Sequence, residues 1–177
     1  MTSGELQIKV SNHVQVADYH RGETFGPRQL PSHELVWLLR GSAEMTTEML
    51  GSDGRPLRRE THRLEPGTVA LLRRGEWDRY VWATDRVSRH AYVHFQLLDP
   101  GHLGPPDTWA TCHTVAGIPV LEGLCHYLTE LAGLQDAHSQ QRGAELVRLL
   151  LDLLITGPWP ADPDHHPVVA LVCRHVA

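Results

Sequence analysis

The sequence predicts a mainly β domain with an added helical hairpin, and three observations predict it. Through residue 98, short apolar runs recur at intervals of about 8–12 residues between Gly/Pro turns, the rhythm of a sandwich or barrel. From Asp99 to Thr108 the run DPGHLGPPDT reads as a linker. Beyond it the apolar period changes from that of a strand to that of a helix.

The elements follow in order. Leu6-Gln-Ile-Lys-Val10 alternates apolar and polar residues, as does the shorter Val14-Gln-Val16, so each has one face to bury. Gly26-Pro27 and Pro31-Ser32 punctuate the approach to the strongest strand, at 35–39. Strands at 46–50 and 61–64 flank Gly51-Ser-Asp-Gly54, whose Asp-Gly suits a hairpin turn with positive φ. Pro66-Gly67 turns the chain into a strand at 68–72, Arg74-Gly75 turns it again, and strands follow at 80–83 and 91–97. Val120, Leu121, Leu124, Tyr127, Leu128 and Leu131 recur at helical spacing behind Pro119, a residue suited to a first helical position, and Gly133 is the stop. A second helix is expected over about 139–155, with Leu146, Leu149, Leu150, Leu153 and Leu154 on one stripe and Gly157-Pro158 at its end. Segment 158–167, with four prolines in ten residues, reads as a stiff linker. Residues 168–176 open a fresh helical pattern. Nine residues do not sustain an isolated helix, so a truncation is expected there in preference to a natural stop.

Composition narrows the function classes. A chain of 177 residues, 41% apolar and 21% charged, is that of one globular domain with a real core. The net charge of -5 argues against the chain by itself as a DNA binder. The cluster Arg55, Arg58, Arg59 and Arg63, diluted by Glu60 and Glu65, reads as a solvated hairpin. No apolar run approaches the roughly 20 residues of a membrane span, and Met-Thr-Ser-Gly-Glu lacks the basic-then-apolar start of a signal peptide. A cytoplasmic location without a membrane partner is the expectation. Cys112, Cys125 and Cys173 form no CxxC pair, so free buried thiols are expected, with neither a disulfide framework nor a zinc knuckle. A nucleophile elbow and a phosphate-binding loop are both missing from the sequence.

Three glycine-punctuated strand signals between Glu34 and Phe95 carry a resemblance. They are Glu34-Leu-Val-Trp-Leu-Leu-Arg-Gly41, then Pro66-Gly67-Thr68 running into Arg74-Gly75 and Tyr80, then His90-Ala-Tyr-Val-His-Phe95. In order and spacing the chain resembles the N-terminal half of AraC-type bacterial transcription regulators. The resemblance implies a cupin-like (jelly-roll type) β-barrel that senses a small organic effector, followed by a two-helix antiparallel hairpin for dimerisation. It implies DNA contact only through a C-terminal helix-turn-helix domain, whose first helix His166-Pro-Val-Val-Ala-Leu-Val-Cys-Arg-His175 resembles. On that layout residues 1–30 form an arm and first strands, 31–98 the barrel core and 99–117 a linker and closing segment. Residues 118–157 form the hairpin, and 158–177 the linker with the start of the DNA-binding domain.

The same resemblance assigns effector contacts to Arg40, Tyr80, His90 and Tyr92. Strand alternation adds Leu38 and supports the set, because Val36, Leu38 and Arg40 share one face, as do His90, Tyr92 and His94. A guanidinium provides forked donors and flat rings provide stacking faces. The competing reading pairs Arg40 with Glu34, Glu44 or Asp78 and places Tyr92 in the core; Trp37 and Phe95 read as packing residues on either view. Thr24, Phe25, Arg21 and Arg28 of the arm are candidates to close over a ligand. A homodimer is expected through Leu146, Leu149, Leu150 and Leu153, a stripe wider than the first helix alone requires. No cofactor and no metal are expected. The alternatives are a metal-dependent cupin enzyme, drawing on His90 and His94 with His33 or Asp78, and a dimerisation module with a filled barrel. The first lacks the His-x-His that such enzymes carry in the strand from Glu34. Neither the effector nor the regulatory sign is legible in these residues.

Overall fold

The computed structural model describes residues 4–51, 53–134 and 136–157. Ten strands and two helices follow one another as β1 (Gln7–Val10), β2 (Gln15–Tyr19), β3 (Thr24–Gln29), β4 (His33–Arg40), β5 (Ala43–Leu50), β6 (Pro56–Leu64), β7 (Thr68–Leu72), β8 (Trp77–Trp82), β9 (Ser88–Asp99), β10 (Cys112–Thr114), α1 (Pro119–Leu131) and α2 (Ala137–Thr156). The expected linker and start of a DNA-binding domain, 158–177, lie outside the described residues, as does Cys173.

The strands form two antiparallel sheets. One runs β1-β9-β4-β7-β10, with β2 pairing β9 beside β1; the other runs β3-β8-β5-β6. The fold class is therefore the expected one, mainly β with a cupin-like jelly roll and a terminal two-helix antiparallel hairpin. The jelly roll consists of two facing sheets, however, and not a closed barrel.

The large sheet is covered on both faces, which explains why β4 and β7 read as continuous apolar runs. Leu35, Trp37, Val69, Leu71, Val93 and Phe95 face the helices. Val36, Leu38, Ala70 and Leu72 face the small sheet, where they meet Ala43, Met45, Leu64, Tyr80 and Trp82. Alternation along each strand divides the residues between the two cores. Trp37 and Phe95 are core residues, and Trp37 Nε1 donates to Thr129 Oγ1 of α1 at 3.1 Å.

Two glycines at the signature turns are required by geometry. Gly41 has φ +82° and a Cβ there would collide with Ser88; Gly67 has φ +92° and a Cβ would stand 2.8 Å from that of Ala116. The hairpin at Gly51 and Gly54 joins β5 to β6 as its Asp-Gly predicts. Helix α1 starts at Pro119, as expected. Helix α2 starts two residues before the expected Ser139 because Asp136 caps it, accepting from Ser139 N at 2.9 Å.

Three expectations change. Residues 4–30, expected as an arm with the first strands, are held in both sheets: β1 and β2 pair with β9, and β3 pairs with β8. Segment 99–117 is more than a linker, since it carries two 3-10 turns and β10, which pairs with β7. Buried Arg73 clamps it, bonding Glu76 Oε1 at 2.8 Å, Pro106 O at 2.7 Å and the carbonyl of Trp109. Finally, Leu150 belongs to the chain's own core at 0% exposure and is unavailable to a partner. The buried face of α2 is Val147, Leu150, Leu151 and Leu154, one step round the helix from the expected stripe. Leu146 and Leu153 lie at its margin, and Leu149 is 40% exposed.

Candidate functional site

Between the sheets, at one end of the sandwich, lies a cavity of about 290 Å³ lined by Asn12, Tyr19, Phe25, Arg28, Glu34, His90, Tyr92 and His94. Register brings these residues together. On β4 and β9, Glu34 stands opposite His94, Val36 opposite Tyr92 and Leu38 opposite His90, so all six share the inner face. On β3 and β8, Phe25 stands opposite Tyr80 and Arg28 opposite Asp78. Phe25 and Arg28 are three residues apart, and a plain strand would turn them to opposite faces. A register shift between them inserts one extra residue, which turns both inward.

The apolar wall is a run of stacked rings. Tyr19 lies on Trp82 at 4.3 Å between centroids and 13° between planes, and Trp82 is followed by Tyr80 at 5.5 Å and His90 at 5.1 Å. Tyr92 holds its place by donating to Gln15 Oε1 at 2.8 Å. Within this wall Tyr80 Oη, Trp82 Nε1 and His90 Nδ1 are buried without a hydrogen-bond partner. Buried polar groups ordinarily have partners, so these three are exceptions within the ring stack, and of them only His90 belongs to a residue that lines the cavity.

The polar wall is built on Arg28. Its guanidinium bonds Glu34 Oε2 at 2.6 Å and Asp78 Oδ1 at 3.1 Å, and stands 4.8 Å from the Phe25 ring centroid. Glu34 is pushed up to about 8, first by burial, with Asp78 adding to the rise and Arg28 opposing it. Burial likewise raises Asp78. One cation shared by two carboxylates leaves one of them favouring its proton. His90 is lowered to about 4 by burial and then by the charge of Arg28, and His94 is lowered for the same reasons.

These shifts set a pH dependence with a definite sign. A carboxyl raised in the folded state stabilises most fully below its unfolded value and loses that contribution as pH rises through its folded value. His33 and His90, both lowered to about 4, act oppositely, their contributions being lost as pH falls from about 6.5. Between about pH 6.5 and 8 the Glu34 contribution falls by about 1–2 kcal/mol. His33 and His90, whose unfolded forms are still half protonated at about pH 6.5, offset it in part, so wild-type stability falls by about 1 kcal/mol across that window. Urea unfolding of Glu34→Gln at both pH values is expected to show that fall removed. A persisting fall would place its origin elsewhere.

The sequence-predicted contacts divide clearly. His90 and Tyr92 line the cavity, Tyr80 lies in the ring stack behind it, and Leu38 is packed in the inter-sheet core beside His90. Arg40 does not join them. A register shift after Leu38 sets Arg40 against Arg89, so it leaves the inner face and its side chain is 62% exposed, 3.9 Å from Asp18. Phe25 and Arg28 of the former arm are at the cavity, as expected of two of its four candidates. Tyr19, Asn12 and Trp82 were not foreseen. Trp82 lies two residues beyond Tyr80 on one strand, so alternation alone signals it; Tyr19 depends on the long-range pairing of β2 with β9 and has no local signal.

A metal has a poor donor set here. Among the described residues no three His, Cys, Asp or Glu side chains converge on one point. His33 faces the helices, stacked on Phe95 at 5.3 Å, and the carboxylates of Glu34 and Asp78 already hold a guanidinium. Cys112 and Cys125 are free thiols, each raised to about 12 by burial, which keeps them unreactive. A larger cavity of about 380 Å³ lies between the β1–β2 connection and the helices, with no Asp, Glu, Lys or Arg in its lining. No helix among the described residues is long and apolar enough to cross a membrane.

No family model matches the chain, and no curated protein sequence matches it. Solved structures of similar arrangement include the cupin domain of Drosophila melanogaster CENP-C, at 15% identity and TM-score 0.41, covering 46% of this chain and 55% of that one. RmlC from Streptococcus suis, in complex with dTDP-D-xylose, follows at 14% identity and TM-score 0.40, covering 51% and 44%. A mutant of Bacillus subtilis oxalate decarboxylase OxdC matches at 11% and 0.38, covering 51% and 26%. The chain spans about half the length of the first of these and less of the others. At such scores the likeness carries nothing about activity, and the cupin-like class rests on the strand order and register.

Proposed function

We propose that the chain is the ligand-sensing and dimerisation part of an AraC-type bacterial transcription regulator, acting in the cytoplasm. On this reading a small organic effector occupies the inter-sheet cavity, and DNA is contacted by a helix-turn-helix domain outside these 177 residues. The observation that carries the proposal is the cavity lining, where the rings of Tyr19, Phe25, His90 and Tyr92 stand around a guanidinium held by two carboxylates. Binding, not catalysis, suits a site whose two carboxylates are held on a guanidinium.

The route to regulation runs through the shared sheet. Strand β9 contributes His90, Tyr92 and His94 to the cavity and Ala91, Val93 and Phe95 to the core under the helices. An effector with different affinity for two packings of that sheet shifts the helices, and through Leu146, Leu149 and Leu153 a homodimer contact. A screen of small polar aromatic and amine compounds tests the proposal. An effector at 100 times its Kd raises stability by about 2.7 kcal/mol and changes the monomer–dimer equilibrium in sedimentation. A screen with no stabilising compound would favour the filled dimerisation module.

A further inference from the structure

The inter-sheet site contains an unequal number of opposite charges. Arg28 is its one guanidinium, and both Glu34 and Asp78 are bound to it, with side chains 2% and 0% exposed. With every group ionised the set carries one negative charge in excess, and a buried charge is stable only when it is paired. Either a proton on Glu34 or a second cation removes the excess. His94 Nε2 lies 3.5 Å from Glu34 Oε1, yet burial and the charge of Arg28 hold that ring toward its neutral form.

The surroundings favour a cation from outside the chain. Tyr19, Phe25 and Tyr92 line the same cavity as Glu34, and aromatic faces attract positive charge. Phe25 already stands against one cation, the guanidinium of Arg28. His90, in the same lining and 7% exposed, has its Nδ1 buried without a partner, and burial with the charge of Arg28 keeps its ring neutral, so it brings no competing cation.

We propose that the cavity recognises a small organic ammonium compound, its charged end against Glu34 and its body between Tyr19, Phe25 and Tyr92. The inference rests on the reading that this cavity is the effector site. The ammonium takes the place of the Glu34 proton, which leaves to solvent. The site passes from Arg28 cation, Asp78 anion and neutral Glu34 to Arg28 cation, two anions and the ligand cation, and is neutral before and after. The other groups facing Glu34 are Arg28 from β3, Asp78 and Tyr80 from β8, His94 from β9 and Tyr19 from β2. Both phenols are shifted upward and His94 downward, so near pH 7 the proton that leaves belongs to Glu34.

The test is titration calorimetry of the full chain at pH 7 with benzylamine, benzoate and benzyl alcohol, one ring bearing positive, negative and no charge. Each titration is run in two buffers of different ionisation heat. Benzylamine is expected to bind at least about tenfold more tightly than the other two and to release close to one proton per molecule bound. Glu34→Gln should bind it about tenfold more weakly and release none. Equal or tighter binding of benzoate, amine binding without proton release, or no amine binding at millimolar concentration would each overturn the inference. If Glu34→Gln does not fold, the wild-type titrations still decide. Amine binding with proton release but no change in the dimer equilibrium would leave this site standing and remove the regulatory reading. A dimer shift driven by benzoate or benzyl alcohol would do the reverse.

Discussion

Arg28→Met is expected to destabilise the domain by about 3 kcal/mol at pH 8 and by about 1 kcal/mol at pH 5. The residue stands between two buried carboxylates, 2.6 Å from Glu34 and 3.1 Å from Asp78. Removing one partner of a buried ionic group leaves charge without compensation, a loss of about 3–5 kcal/mol. The lower end applies because the Arg28 side chain is 31% exposed and part of its contribution is screened by solvent. Without the guanidinium both carboxyls rise further. Their neutral forms are retained at pH 5, and the penalty grows as pH climbs through their folded values. Urea unfolding at the two pH values separates this cause from lost packing, which would reduce stability equally at both.

Leu150→Asp is expected to abolish folding, whereas Leu149→Asp, one residue away, leaves the monomer's stability within about 0.5 kcal/mol. Leu150 is 0% exposed, and truncating such a leucine to alanine already costs about 2–5 kcal/mol. A buried unpaired carboxylate adds to that, and the sum reaches the total stability of an ordinary domain, about 5–15 kcal/mol. Leu149 is 40% exposed on the margin of the same helix. Its charged variant should remain folded and sediment as a monomer if the exposed edge of α2 is the dimer contact. Circular dichroism and sedimentation of both variants read the two outcomes. A folded Leu150→Asp would mean that α2 is not packed on the sheet.

The contrast between these two leucines shows where the sequence is legible. Six leucines within nine residues announce an apolar helix face, yet the face's centre depends on how the helix rolls on the sheet, which is a long-range property. The strands from Glu34 to Phe95 are readable because Gly41 and Gly67 sit at turns that only glycine fits, and alternation between them orients each side chain. Alternation is also where the reading of Arg40 fails, for a single register shift after Leu38 carries it off the inner face. The same device works in reverse at Phe25 and Arg28, whose spacing of three conceals that they face one cavity. His90 and Tyr92, on an unbroken stretch of β9, are where alternation places them. Thus the regular part of the site could be read locally, and its charged centre depends on the bulge before Arg28 and on a pairing across more than 40 residues.

A small ligand bound between the two sheets would be reported by the indole signals of the tryptophans. Trp82 Nε1 has no partner and its ring is stacked with Tyr19 and His90, which line the cavity. Trp37 and Trp109 donate to Thr129 and to the Leu103 carbonyl, on the helix side of the large sheet. Nitrogen–proton spectra of the chain, assigned by single Trp→Phe substitutions, would be followed as the most stabilising compound of the screen is added. The Trp82 signal is expected to move furthest and to saturate with the binding curve. Movement confined to Trp37 and Trp109, with Trp82 unchanged, would contradict it and place the ligand under the helices.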